Sequence, residues 1–209
     1  MQHIAFDIGN VLIHVNFNKF YNVMLSHGLT EDEISEFIND IEYSCHMGLL
    51  TLAQALRVRF PYIFANGQIN KHWEEIQEAW NDSLRENDIM MNFVTNLKNE
   101  GVKIALLSNI GLDHAKFIRS NCSEVINRCI QHFSFEVGAA KPQMLYYQSF
   151  LLNNEDFAGC VYLDDRKENI VAAAKQKFDA VHFDLDYLKK PSDIKKALYK
   201  IKERIQKGW

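Results

Sequence analysis

The stretch that decides the fold is HIAFDIGNVL, residues 3–12. A short apolar run reaches one acidic residue, Asp7, and is then broken by Gly9 and Asn10 before it turns apolar again. An apolar run of this length is typical of a buried strand, and a lone carboxylate at its end needs partners from elsewhere in the chain. We therefore predict a first strand at residues 3–8 with Asp7 at its carboxyl end.

The rest of the chain alternates short apolar segments with helical patterns. Four later segments are typical of buried strands, at residues 103–109, 132–138, 160–165 and 179–185. Helical periodicity falls between or after them, at residues 86–99, 112–121, 142–153, 166–177 and 191–206. Strands that alternate with helices predict a parallel sheet covered on both faces. The predicted fold class is α/β, with a Rossmann-like parallel sheet and helices on both sides of it.

One long interruption separates the first strand from the next predicted helix of this alternation. Residues 15–84 show helical periodicity and almost no strand character, and Thr30 with Glu33 fits a capping box. An insertion after the first strand lies at the carboxyl edge of a parallel sheet, where open α/β sheets bind ligands. We predict a Rossmann-like catalytic core from residues 1–14 and 85–209, and an all-helical cap domain from residues 15–84.

The aromatic residues of the insertion have the helical spacing of a core of its own. They are Phe17, Phe20, Tyr21, Phe37, Tyr43, Trp73 and Trp80. His14 and His46 are isolated histidines, for which a structural role is the ordinary interpretation. No motif of the cap names a substrate, and the size of the cap favours a small molecule over a macromolecule.

Composition and charge argue against several classes of function. The chain has 23 basic and 27 acidic residues and a formal charge of −4, a mild acidity that gives no reason to expect nucleic-acid binding, which normally shows as a basic patch. No window approaches the ~18 apolar residues of a membrane span, and the first residues lack the basic region of a signal peptide. The four cysteines match no zinc spacing, which predicts reduced thiols. We expect a cytoplasmic protein without nucleic-acid or membrane partners, and a monomer by default.

Polar residues follow the predicted strands at their carboxyl ends, which in a parallel sheet meet at one edge. They are Asp7, Ser108, Asn109, Lys141, Asp164 and Asp165. Neighbouring carboxylates repel one another unless a cation compensates them, and such oxygen ligands suit Mg²⁺. Hydroxyl, amide and ammonium groups suit phosphoryl oxygens, and a carboxylate beside Mg²⁺ can attack phosphorus. This set of residues predicts phosphoryl chemistry that depends on Mg²⁺.

Four segments, taken in order, resemble the motifs of the haloacid dehalogenase-like (HAD) superfamily of hydrolases. They are FDIGNVL (6–12), LLSN (106–109), GAAKP (138–142) and LDDRKEN (163–169). The similarity spans nearly the whole chain, and the insertion stands where that family has its type-one helical cap. The first motif is most similar to the branch of small phosphatases with DxGNV, which includes glucose-1-phosphatase-like members.

The resemblance implies a role for individual residues of this chain. The nucleophile would be Asp7, and Lys141 would stabilise the phosphoryl group that Ser108 and Asn109 hold. The implied Mg²⁺ ligands are Asp7, the backbone carbonyl of Gly9, Asp164 and Asp165, with Asp165 in direct contact with the metal. Asn10 and Asn169 would support the two loops. The expected function is hydrolysis of a small phosphorylated metabolite, similar to a sugar phosphate, through an aspartyl-phosphate at Asp7.

One position departs from the family pattern. Phosphatases of this family commonly carry a second Asp two residues after the nucleophile as general acid and base, and here that position is Gly9. Acid–base help is worth about 10²–10⁴-fold in rate. An alternative is therefore a catalytically weak protein that binds a phosphorylated ligand or a protein partner. A metal-independent haloacid dehalogenase is a further alternative, against which the acidic pair Asp164 and Asp165 argues.

Overall fold

The structure is a computed structural model that describes residues 2–64 and 69–207 of the chain. Residues 65–68 of the predicted cap, and residues 1 and 208–209 of the predicted core, lie outside the described residues. The strands are β1 (His3–Phe6), β2 (Ile13–Val15), β3 (Leu84–Glu86), β4 (Lys103–Ser108), β5 (Ile130–Phe133), β6 (Val161–Asp164) and β7 (Asp179–His182). The helices are α1 (Asn18–Ser26), α2 (Glu31–Ser44), α3 (Leu52–Arg59), α4 (Ile69–Asn81), α5 (Asp88–Asn99), α6 (Leu112–Asn121), α7 (Glu124–Asn127), α8 (Ser134–Val137), α9 (Met144–Asn153), α10 (Lys167–Lys175) and α11 (Pro191–Lys207).

Five strands form a parallel sheet in the order β5-β4-β1-β6-β7, with β1 at its centre. The register pairs Phe6 of β1 with Leu106 of β4 and with Leu163 of β6. The residues that follow these three therefore lie side by side at the carboxyl edge. The sheet confirms the predicted α/β, Rossmann-like fold class.

Helices cover both faces of the sheet because the inner strands are apolar on both sides. Ile4 and Phe6 of β1 belong to one buried cluster, which includes Val94 of α5 and Leu198 of α11. Ala5 points to the other face and belongs to a second cluster with the aromatic residues of α9. The alternation of side chains along a strand explains this division.

Two parts of the sheet differ from the sequence predictions. The strand predicted at residues 132–138 is wrong from residue 134 onward, because β5 ends at Phe133 and the chain turns into the short helix α8, which Gly138 ends with a φ of 68°. The antiparallel pair β2–β3 was not predicted at all. It joins the two chain segments that lead into and out of the helical insertion.

The helical insertion, α1 to α4, buries a hydrophobic cluster of its own. Phe20, Phe37 and Trp80 are buried in that cluster, while Tyr43 is 70% exposed and is not part of it. The predicted capping box of Thr30 is confirmed at the start of α2. The role of this insertion as a cap stays a prediction.

Among the described residues, no helix is both long and apolar enough to cross a membrane. The four cysteines are free thiols, which confirms the prediction from their spacing. Burial raises the pKa of Cys45 and of Cys129 to about 11, so both thiols stay protonated at neutral pH.

Candidate active site

Three strand ends place polar side chains at the carboxyl edge of the sheet. Asp7 directly follows β1, and its backbone N–H donates to the carbonyl of Leu163 at 2.8 Å. Ser108 ends β4 and Asp164 ends β6. All three residues are buried, and Asp164 is fully so. The parallel register thus brings together residues that are more than 150 positions apart in sequence.

A buried ammonium group connects these strand ends. Nζ of Lys141 lies 3.0 Å from Oδ1 of Asp7 and 2.7 Å from Oδ2 of Asp164. It also donates to the backbone carbonyl of Leu107 at 2.9 Å. Burial alone would lower the pKa of Lys141, but the two carboxylates outweigh it and the pKa is raised. Lys141 is therefore a fixed positive charge beside Asp7.

Asn109 holds the loop that carries this lysine. Its side-chain amide donates to the carbonyl of Lys141 at 2.8 Å, and its amide oxygen accepts from the N–H of the same residue, also at 2.8 Å. The paired bonds span β4 and the loop before α9. In this arrangement the Asn109 side chain positions Lys141. The phosphate binding predicted for Asn109 would therefore use the backbone of Asn109.

Asp164 is bonded through both of its carboxylate oxygens. Oδ1 accepts from the N–H of Arg166 and from the amide of Asn169, both at 2.9 Å. Oδ2 accepts from the hydroxyl of Tyr162 in addition to Lys141. Burial acts to raise the pKa of Asp164, but Lys141 and these hydrogen bonds outweigh it and lower the pKa. Asp164 stays ionised and anchors the site.

Asp7 and Asp165 carry negative charge that the protein compensates less well. Burial raises the pKa of Asp7 to about 6; the charge of Lys141 opposes this rise, and the charge of Asp164 adds to it. Burial, together with the charges of Asp7 and Asp164, raises the pKa of Asp165 to about 7. Burial is the main cause of both raised pKa values, and the neighbouring carboxylates add to it.

This carboxylate cluster fits a divalent cation. Asp7, Asp164 and Asp165 each offer an oxygen atom, and these atoms all lie within 4.8 Å of one another. A hard cation such as Mg²⁺ prefers carboxylate oxygens and would compensate the buried charges of Asp7 and Asp165. Since Asp164 is already held by four donors, Asp7 and Asp165 are the carboxylates best placed to contact a metal directly.

The turn after β1 borders the same cluster. Asn10 adopts a left-handed conformation with φ of 51°, which an asparagine tolerates. Its side chain donates to Asp165 at 3.4 Å and accepts from the N–H of Val15 at 3.1 Å. A Cβ atom added at Gly9 would lie 3.4 Å from Val15 Cγ2, an ordinary contact distance. The turn therefore supports Asp165 through Asn10 and has room for a Cβ atom at Gly9.

Two residues of this site were missed at the sequence level. The hydroxyl of Tyr162 bonds to Asp164 and lies 3.2 Å from Nζ of Lys141. The sequence carries a signal for Tyr162, because a residue two positions before Asp164 in a strand lies on the same face of that strand. Ser134 is fully buried, and its hydroxyl accepts from the N–H of Ile110 at 3.0 Å. It fixes the loop after β4, and the prediction of a strand across residue 134 concealed it.

No family model and no curated protein matches this chain. Solved structures do match it in fold. A HAD-family enzyme from Bacteroides thetaiotaomicron, in complex with magnesium and inorganic phosphate, is 20% identical with a TM-score of 0.68, covering 87% of this chain and 93% of its own. A predicted HAD-like family hydrolase from Porphyromonas gingivalis is 16% identical with a TM-score of 0.69, covering 88% and 91%.

A third structure covers more of the chain at a lower similarity. A HAD-superfamily hydrolase from Ehrlichia chaffeensis is 15% identical with a TM-score of 0.55, and the match covers 95% of this chain and 96% of its own. At these identities the likeness concerns the fold. The chain has the fold that these HAD-family hydrolases share, over most of its length and of theirs.

Proposed function

We propose that the chain belongs to the HAD superfamily and is a Mg²⁺-dependent phosphatase that acts on a small phosphorylated metabolite. The observation that carries the proposal is the buried contact of Lys141 with Asp7 and Asp164, beside Asp165. A nucleophilic carboxylate, a fixed cation and a cluster for a metal are the groups that phosphoryl transfer to a carboxylate needs. The match in fold to an enzyme that was crystallised with magnesium and phosphate supports it.

Asp7 is the residue that we assign as nucleophile. Its Oδ1 accepts from the N–H of Ile8 at 2.7 Å and from Lys141, so the carboxylate is held by one oxygen. The other oxygen would attack phosphorus, forming an Asp7–phosphorus bond while the bond from phosphorus to the leaving oxygen breaks. Water would then attack phosphorus, release inorganic phosphate and restore the Asp7 carboxylate.

The other residues of the site would bind the phosphoryl group and balance its charge. Lys141 presents a permanent ammonium group, which Asp164 keeps in place. The Ser108 hydroxyl and the backbone of Asn109, at the end of β4, would donate to phosphoryl oxygens. Mg²⁺ would be held by Asp7, Asp165 and the Gly9 carbonyl, with Asp164 behind them. The ion would compensate the charge of the attacking carboxylate and of the phosphoryl oxygens.

The leaving oxygen must obtain its proton without a carboxylate at position 9. A leaving group that is stable without immediate protonation, such as an anomeric sugar oxygen, relieves this need. We therefore propose a sugar phosphate-like substrate, with water or a substrate hydroxyl as the source of the proton. Hydrolysis of the aspartyl-phosphate is the step that the missing base would slow.

Phosphate release over a panel of sugar phosphates and nucleotides tests the proposal. We expect release that needs Mg²⁺, stops with chelator and is lost in Asp7→Asn. The matched control is Asp40→Asn, an exposed position on α2, which should leave the rate unchanged. Activity that survives either the chelator or Asp7→Asn would overturn the proposal, and chloride release from a haloacid without metal would favour the dehalogenase.

Gly9 favours a second candidate function, a weak or inactive protein that binds a phosphorylated ligand or a protein partner. The absence of a side chain at residue 9 is the observation behind it. The substitution Gly9→Asp separates the two, because a Cβ atom fits at residue 9. If the missing general acid and base limits turnover, the rate of phosphate release by Gly9→Asp should exceed that of the wild type, by up to the ~10²–10⁴-fold that such groups contribute. No release from any substrate in either form, with phosphate binding retained, would support the second candidate.

A further inference from the structure

A second cluster of ionisable side chains lies in the helical insertion and shares no residue with the candidate active site. His27 directly follows α1, while His72 and Glu75 lie one turn apart on α4. Each residue offers a ligand atom within 4.8 Å of those of the other two. Nε2 of His27 is 3.5 Å from Oε2 of Glu75, and the two imidazole rings stand nearly perpendicular with their centroids 4.5 Å apart.

The antiparallel pairing of α1 with α4 explains why these residues meet. Near the start of α1, Lys19 forms ion pairs with Glu78 and Asp82 toward the end of α4. At the opposite end, His27 meets the first turns of α4, where the three-residue spacing of His72 and Glu75 puts both on one face. One end of the helix pair is thus joined by a lysine and two carboxylates, and the other end carries two imidazoles and a carboxylate.

His27 has a buried nitrogen atom that the described residues leave without a hydrogen bond. Its Nε2 is buried, and no described donor or acceptor meets hydrogen-bond geometry with it. The Glu75 carboxylate, at 3.5 Å, is near enough for attraction. Because an unsatisfied buried polar atom costs free energy, the position favours a ligand that this nitrogen can bind.

We propose that His27, His72 and Glu75 bind a divalent transition-metal ion of the Zn²⁺ type, with water completing the coordination. Tetrahedral bonds of ~2.0–2.2 Å put neighbouring ligand atoms about 3.4 Å apart, close to the separation of His27 and Glu75. Two imidazole nitrogens with one carboxylate suit such ions, whereas Mg²⁺ prefers oxygen ligands throughout. The ion would join the helix that enters the insertion to the helix that leaves it.

The inference is independent of the reaction at Asp7, and binding can be measured without activity. The full chain, free of any affinity tag and stripped with chelator, would be titrated with Co²⁺ and with Zn²⁺ in excess Mg²⁺, which occupies the carboxylate cluster. We expect one Co²⁺ per chain with visible absorption, and a melting temperature that rises with Zn²⁺ because the ion binds the folded state.

Substitutions at the cluster decide the assignment. His72→Gln and Glu75→Gln should each weaken Co²⁺ binding by at least about tenfold, since changes even in residues behind metal ligands cost 10–100-fold. The matched control is Glu74→Gln, which removes the same charge from an exposed neighbour and should leave binding unchanged. Melting curves in metal-free buffer show that each variant is folded. No Co²⁺ binding in the wild type, or binding that both variants retain, would overturn the proposal.

Discussion

Replacing Asp7 by asparagine should stabilise the metal-free protein at neutral pH while it removes the proposed activity. Asn keeps the volume of the side chain and can still accept from the N–H of Ile8 and from Lys141. It removes a buried negative charge that faces Asp164 and Asp165. The expected gain therefore measures what burial of an ionised Asp7 costs the fold, mainly through desolvation and in part through the charge of Asp164.

The size and the pH window follow from the pKa of Asp7, which rises from 3.8 to about 6 on folding. The folded state holds the proton more tightly than the unfolded chain, so ionisation costs stability as the pH rises. This loss in the free energy of unfolding is absent below about pH 4 and complete above about pH 6. A rise of ~2 pKa units corresponds to about 3 kcal/mol. For a chain of this size, that free energy shifts the melting temperature by about 6–12 °C.

Thermal unfolding in chelator at pH 4 and at pH 7.5 measures the effect. We expect Asp7→Asn to melt well above the wild type at pH 7.5 and close to it at pH 4, with the exposed Asp40→Asn as a control that changes little at either pH. Saturating Mg²⁺ should stabilise the wild type more than the variant. A variant that is no more stable than the wild type at pH 7.5, or that gains as much at pH 4, would show that the buried charge of Asp7 does not destabilise the fold.

Three further substitutions test the site and the packing. Tyr162→Phe removes the hydroxyl that bonds to Asp164, and a hydrogen bond to a charged group contributes about 1.5–3 kcal/mol. Loss of that free energy in the transition state should lower kcat by about tenfold or more with little change in KM. An unchanged kcat would remove Tyr162 from the site. Phe20→Ala empties a fully buried position of the insertion and should cost about 3–5 kcal/mol in urea unfolding, against less than about 0.5 kcal/mol for the exposed Tyr43→Ala. Asn87→Ala removes the N-cap of α5 and should cost about 1 kcal/mol, which Asn87→Ser should largely restore; equal loss in both would refute the capping role.

The parts of the site that the sequence predicts are those with local signals. Asp7 and Asp164 each end a continuous apolar run, and the parallel sheet that follows from such runs brings their ends together. Lys141 is different, because no strand ends at it. Its burial and its contacts depend on Asn109, more than 30 residues earlier, which a local pattern does not reveal. The sequence places Lys141 after the strand predicted at residues 132–138, which ends at Phe133 in the structure, and the resemblance of GAAKP to a family motif gives it the same role.

The misassigned segments fail for two distinct physical reasons. Apolar residues alternate across residues 132–138 as in a strand, but the buried hydroxyl of Ser134 bonds to Ile110 and the left-handed Gly138 closes a helical turn. The alternation of apolar residues was thus outweighed by the contact of Ser134 with the loop after β4. The pair β2–β3 joins strands of three residues that are about 70 positions apart, and neither strand is long enough to show a pattern.

The two connections between the sheet and the helical insertion run side by side as β2 and β3, paired from Ile13 to Val15 against Leu84 to Glu86. The insertion also contacts the core beyond these strands, where the N–H of Leu52 donates to Asp113 at 2.8 Å and Trp80 stacks on His114. Asn10 contacts both β2, through the N–H of Val15, and the Asp165 carboxylate. A change in the charge of Asp165 therefore acts on an amide group that also holds the strand leading into the helices.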